Sequence, residues 1–154
     1  MLERIERPGE VRRWPGQMPV RHRYTPGVAG EVFFTALRDR GVLLGSRCES
    51  CSYTYAPARL FCERCFSELS ADVEVGPQGT LVSFTIVFVG LEGEPLDEPE
   101  TIGLVRLDRA DAVMMHRIVK AGDEPLEIGE RVEVVLSDDR IGSILDIEGF
   151  RPLE

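Results

Sequence analysis

Four cysteines are the residues in this sequence best suited to chemistry, and their spacing says which chemistry. They run Cys48-x2-Cys51-x10-Cys62-x2-Cys65. Two residues between cysteines let both sulfurs of a pair reach one ion from a tight turn. Two such turns, joined by a short hairpin, place four thiolates at tetrahedral corners. The spacer between the pairs contains Pro57 and is long enough for that hairpin. A shell filled by thiolate leaves no open position for water or substrate, so the expected ion is a structural Zn2+ rather than a catalytic one. The competing readings are a redox dithiol, which needs one exposed and acidified Cys-x-x-Cys, and two disulfides. Zinc contributes on the order of 10 kcal/mol of folding energy to such a knuckle, enough to order residues 45–68 despite their few aliphatics.

Little else suits acid–base work. His116 sits in a predicted strand beside Met114 and Ile118 and reads as a barrel residue sooner than as a base. His22 has no evident partner. The paired carboxylates Asp138-Asp139 and the acids of residues 92–100 fall in loop-like segments and read as surface charge. There is no Ser-His-Asp arrangement, P-loop or dinucleotide-binding glycine motif, and Gly90-Leu91-Glu92-Gly93 is loop glycine.

The elements that must position the cysteines follow from pattern. Pro8, Pro15, Pro19 and Pro26 forbid a long helix at the start and predict an extended arm. From Gly30 to Arg40 the pattern is helical, with Phe33, Phe34 and Leu37 on one side and Gly41 as the stop. Short β pieces surround the cysteines: Val42-Leu43-Leu44, Tyr53-Thr54-Tyr55 and Leu69. Strand signals then dominate: 71–75; 80–89, with Val82, Phe84, Ile86 and Phe88 facing inward; 101–107; 112–119; 131–136, with Val132, Val134 and Leu136 inward; and 143–147. Residues 90–100 read as an acidic loop, and Phe150 and Leu153 as closing one end of the core. The fold class is mainly β, in three parts: arm and helix over 1–41, a rubredoxin-like zinc ribbon over 42–69, and an OB-fold barrel over 70–154, with an open sandwich as the alternative.

Composition narrows the function classes. Hydrophobic residues make up 43% of the 154, so a core is expected, and 15 Gly and 10 Pro fall between short apolar runs. No run of 18 apolar residues occurs, and the charged start carries no apolar leader, which predicts a cytoplasmic protein with reduced thiols. Net charge is −9, unevenly spread: residues 1–24 hold six Arg and three Glu, net +3, and the remainder 12 bases and 24 acids, net −12. Residues 71–154 contain a single Lys, Lys120, and three aromatics, Phe84, Phe88 and Phe150. That argues against the basic, aromatic-lined groove of a single-stranded nucleic-acid binder, the alternative function for a zinc ribbon with an OB barrel.

An ordered series of motifs carries a family resemblance. Phe33-Phe34-x-Ala36-Leu37 precedes the cysteine pairs, and Pro57 and Arg59 lie between them. Gly79-Thr80-Leu81-Val82-Ser83-Phe84-Thr85 and Ile128-Gly129-x-Arg131-Val132 follow. From about Gly30 to Pro152 the chain resembles the zinc-ribbon/OB-fold acyl-CoA-associated proteins known as DUF35. Arg21-His22-Arg23-Tyr24-Thr25-Pro26-Gly27-Val28-Ala29-Gly30-Glu31 and Gly142-Ser143-Ile144-Leu145-Asp146-Ile147 look closest to thiolase-partner members. The family's knuckles often carry Gly where Ser52 and Phe66 stand, and a non-Gly residue there costs about 1 kcal/mol each.

The resemblance implies a non-catalytic accessory subunit of an acyl-CoA-processing complex. The expected partner is a thiolase-like acyltransferase, with an acyl-CoA hydratase or aldolase as the alternative. Candidate contacts are Trp14, Phe33, Phe34 and Leu37, with a helix that packs only on its own ribbon as the alternative. Arg47 and Arg59, which flank the ribbon, are the candidates for CoA phosphates.

Overall fold

The computed structural model describes residues 24–119 and 125–153. Trp14, His22 and most of the predicted arm lie outside them. The first element is helix α1, Gly27–Arg40. It starts three residues earlier than the apolar pattern predicts, directly after Pro26, whose fixed φ suits a helix start. Its stop is as expected: Gly41 is left-handed at φ 66° and returns its N–H to the Leu37 carbonyl at 3.0 Å. Ala29, Phe33, Ala36 and Leu37 form the buried face.

Strand β1, Leu43–Arg47, is the centre of a three-stranded antiparallel sheet, between β2, Thr54–Tyr55, and β3, Val73–Val75. The second sheet has five strands: β4, Gln78–Val89; β5, Pro95–Leu107; β6, Met114–Arg117; β7, Arg131–Leu136; and β8, Ile147–Pro152. Their order is β6-β5-β4-β7-β8, every pair antiparallel. A parallel bridge between Ile118 and Phe150, with Val119 N–H donating to the Phe150 carbonyl at 2.8 Å, joins the two outer strands. The result is the OB-fold barrel, closed at this bridge.

One hydrophobic core runs through helix, small sheet and barrel, from Phe33 and Leu37 through Leu43, Leu44 and Val75 to Leu81, Val105, Val132 and Phe150. A second link is polar. Thr54 in β2 donates its N–H to the Asp111 carboxylate at 2.8 Å, and its carbonyl accepts from the N–H groups of Asp111 and Ala112. Arg131, at the start of β7, holds Asp108 through two hydrogen bonds of 2.7 and 2.6 Å, tying the β5–β6 connection to β7.

Three sequence expectations need correction. In β4 the inward phase changes at a bulge: Leu81 pairs with Val105 but Ser83 with Leu104, so Leu81 is the core residue and Val82 is exposed. Past the bulge Phe84 packs on the core, but Ile86 and Phe88 are exposed. Here β4 and β5 pair only with each other, beyond the reach of β6 and β7. The predicted acidic loop is mostly strand, since β5 begins at Pro95 and pairs back to Val89. Pro95 and Pro99 are tolerated because that stretch has a free edge. The last strand starts at Ile147. The predicted 143–147 strand is instead a 3-10 turn, Ile144–Asp146.

Asp146 explains that turn. It is buried, and its carboxylate accepts N–H groups from Ile141 at 3.1 Å, Gly142 at 2.7 Å and Ser143 at 3.1 Å, while Ser143 caps Leu145 in return. Burial works to raise its pKa, and the three backbone donors outweigh it, so the pKa lies below the usual value. A depressed folded pKa means the stabilisation is complete above the unfolded value of about 4 and lost as pH falls through the folded one. Asp146→Ala is expected to lower Tm by more than about 5 °C at pH 7, with the gap to wild type narrowing in acid melts. An unchanged Tm would refute the assignment.

Candidate metal centre

Within residues 43–69, Leu43, Leu44 and Ala56 are buried in the chain's main core. The segment's own buried cluster is Cys48, Tyr55 and Cys62. Two knuckles organise the segment in the same way. Cys48 N–H donates to the Tyr53 carbonyl and Cys62 N–H to the Ser67 carbonyl, both at 2.9 Å, so each Cys-x-x-Cys closes into a turn. The residue after each second cysteine has a left-handed backbone: Ser52 at φ 57° and Phe66 at φ 61°. These are the positions where glycine would be unstrained. Ahead of the first knuckle, Ser46 of β1 is fully buried. It donates to the Arg59 carbonyl at 2.9 Å and accepts from Arg59 N–H at 3.0 Å, pinning the second knuckle to β1.

The knuckles bring all four sulfurs within 4.8 Å of one another. Cys48 and Cys65 Sγ lie 3.4 Å apart and Cys51 and Cys62 Sγ 3.5 Å. All four thiols are free. A tetrahedral zinc with Zn–S bonds of about 2.3 Å needs sulfur separations of about 3.8 Å, so this donor set fits one Zn2+ and fills its shell. Local donors favour the thiolate at Cys62 and Cys65, whereas at Cys51 a backbone hydrogen bond from Tyr53 is outweighed by burial and the neighbouring sulfurs, which push that thiol up to about 11. The Tyr55 hydroxyl, 3.3 Å from Cys62 Sγ, leads in pulling that thiol down to about 6. The Ser67 hydroxyl, 3.3 Å from Cys65 Sγ, lowers that thiol too.

The other candidate residues are scattered. Phe33 and Leu37, expected to contact a partner, are 2% and 0% exposed and belong to the chain's own core. This corrects the expectation: the helix's aromatic face packs on β1 and the barrel. Phe34 is partly buried against the same core, edge-on to Phe33. Arg47 is exposed and donates to Thr54 Oγ1 at 3.3 Å. Arg59 is committed, paired with Glu63 and lying 5.2 Å over the Tyr55 ring. His116 is half-buried on β6, edge-on to Phe150. Burial lowers its pKa, and its Nδ1 is enclosed without a hydrogen-bond partner. It is a barrel residue as expected, but not a satisfied one.

Sequence reasoning missed the exposed apolar residues. Ile86, Phe88, Val89 and Leu91 line the free end of the β4–β5 hairpin, and Phe61 and Phe66 project from the second knuckle. The alternation in β4 marked the first group as apolar but could not show that the hairpin outruns the barrel.

Two family models match the chain in tandem: the ChsH2 rubredoxin-like zinc ribbon domain over residues 35–70 and the ChsH2 C-terminal OB-fold domain over 72–137. A DUF35 domain-containing scaffold protein of Methanocaldococcus jannaschii is 26% identical over 123 residues, covering 77% of this chain and 86% of that protein. A protein of unknown function from the DUF35 family of Sulfolobus solfataricus superposes with a TM-score of 0.60 at 25% identity, over 82% of this chain and 84% of that one. A chain of the Ltp2-ChsH2(DUF35) aldolase superposes with a TM-score of 0.56 at 22% identity, over 79% and 91%, which speaks to the fold alone.

The strained knuckle positions are directly testable. In metal-loaded protein, Phe66→Gly and Ser52→Gly should each raise stability by about 0.5–1 kcal/mol, read as an upward shift in the thermal melt. A fall in stability would mean that these side chains make contacts worth more than the backbone strain.

Proposed function

The chain belongs to the DUF35 family of paired zinc-ribbon and OB-fold domains, and from that premise we propose that it is an accessory subunit of an acyl-CoA-processing complex. In this reading its four thiolates hold a structural zinc and the bond-breaking is done by a partner enzyme. The observation that carries it is the sulfur cluster itself, all four Sγ within 4.8 Å, with no fifth donor needed. Such a site stabilises a fold and has no position left for a reactant. The M. jannaschii relative, a scaffold protein, supports the same role. The Ltp2-ChsH2(DUF35) aldolase supports a companion enzyme for chains of this fold. The exposed apolar end of the β4–β5 hairpin supports association, because large apolar side chains left in water mark protein contacts.

The finer proposal names the partner as a thiolase-like acyltransferase and gives this chain a share in binding CoA. A hydratase or aldolase partner is the competing outcome of the same experiment. Of the two flanking arginines, Arg47 is the better phosphate ligand, since Arg59 is already paired with Glu63. A single-stranded nucleic-acid role is disfavoured by the −12 carried by residues 25–154.

Freshly purified chain should contain about one zinc per molecule, and a strong chelator should unfold the ribbon, seen as loss of near-ultraviolet signal from Tyr53 and Tyr55. Absence of zinc would overturn the metal assignment. Co-expression with the product of an adjacent thiolase-like gene should yield a stable complex, while the isolated chain turns over no acyl-CoA. Arg47→Ala should weaken CoA binding to that complex about tenfold. A chain that stays monomeric beside each candidate acyl-CoA enzyme would sink the accessory-subunit reading.

A further inference from the structure

We propose that Tyr55 is a positioning residue of the metal cage: its phenol donates a hydrogen bond to the Cys62 thiolate and slows that sulfur's departure from the ion. This rests on the zinc reading above and adds to it a residue that is not a ligand.

Tyr55 is 2% exposed, so its hydroxyl must find its partners inside the protein. Glu63 N–H donates to the phenol oxygen at 3.1 Å. The hydroxyl's own proton is then left for Cys62 Sγ, 3.3 Å away. In the metal-free protein either group could be the donor. With zinc bound, Cys62 is a thiolate with no proton to give, and the direction becomes fixed from oxygen to sulfur. The metal thus converts an ambiguous contact into a charge-assisted one.

The phenol cannot swing away. Its backbone is paired to Ser46 in the β1–β2 ladder, its ring packs on Tyr53 with centroids 4.8 Å apart, and the Arg59 guanidinium covers it at 5.2 Å. Arg59 is itself held by Glu63 and by Ser46. The two thiolates of the second knuckle therefore differ. Cys62 is fully buried and clamped by a rigid phenol, whereas Cys65 is exposed and touches the short hydroxyl of Ser67. A hydrogen bond to a metal-bound thiolate draws charge from sulfur, which disfavours its protonation and its attack by electrophiles. Zinc loss should begin at Cys65, and Tyr55 should keep Cys62 in place long enough for Cys65 to return.

The test compares zinc-loaded wild type with Tyr55→Phe, which keeps the ring and removes the hydroxyl that meets both Cys62 Sγ and Glu63 N–H, and with Tyr53→Phe as a control in the same ring pair. Zinc transfer to a chromophoric chelator should be about tenfold faster in Tyr55→Phe and unchanged in Tyr53→Phe. In the Co2+-substituted proteins the thiolate-to-cobalt charge-transfer band should move to lower energy in Tyr55→Phe only, a change that packing alone does not produce. In 113Cd-loaded wild type, the Tyr55 hydroxyl proton should exchange slowly with water and correlate with the metal, a readout that does not depend on any variant folding. Equal transfer rates with an unmoved band, or a fast-exchanging hydroxyl, would overturn the clamp while leaving the zinc site standing. Wild type that holds no metal would overturn the zinc reading, and the clamp with it.

Discussion

Convergence of four sulfurs is the constraint on which residues 43–69 depend. That segment supplies few apolar side chains of its own, and ordering each residue costs about 1–2 kcal/mol of backbone entropy. Two Cys-x-x-Cys turns close in the same way and aim their sulfurs at one point. Everything nearby serves that convergence. Ser46 pins the second knuckle to β1, Tyr55 fills the space behind Cys62, and two non-glycine residues accept left-handed backbone to complete the turns. A cation held by four thiolates would add the stabilisation that the small cluster of Cys48, Tyr55 and Cys62 does not supply by itself.

The ribbon is not an independent bead on the barrel. Strand β1 is shared: one edge pairs with β2 inside the ribbon, and the other with β3, the strand leading into the barrel. The helix lies over this junction with Phe33 and Leu37 in the common core. Asp111, from the barrel's β5–β6 connection, reaches back to the Thr54 backbone. The ribbon is thus attached to the rest of the chain through β3, the common core and the Asp111 hydrogen bond. That property suits an accessory subunit, whose surfaces must keep fixed positions relative to one another.

Legibility differed by kind of residue. The convergence of the four cysteines was readable from spacing alone, because Cys-x-x-Cys geometry is local and needs no knowledge of the rest of the chain. The helix stop at Gly41 was readable for the same reason. Strand positions were readable where one face packs on the core, as with Val132, Val134 and Leu136 in β7. They failed where a non-local event intervened. The bulge at Val82 put Leu81 in the core in its place, and nothing in the alternation of Val82, Phe84, Ile86 and Phe88 marks it. The acids and prolines of 94–100 looked like loop because both types are poor in central strands, yet they form one side of a hairpin with a free edge.

The amino-acid order by itself determined the sulfur cage, the mainly β character and the succession of helix, ribbon and barrel, since each rests on spacings of a few residues. Only the tertiary structure decided which way the aromatic face of the helix turns, that Tyr55 meets Cys62 while Arg59 is occupied by Glu63, and that the apolar surface left in water belongs to the β4–β5 hairpin. Those outcomes depend on which distant segments compete for the same partner. Phe33 and Leu37 are buried by strands that follow them in the chain, and no local pattern records that competition.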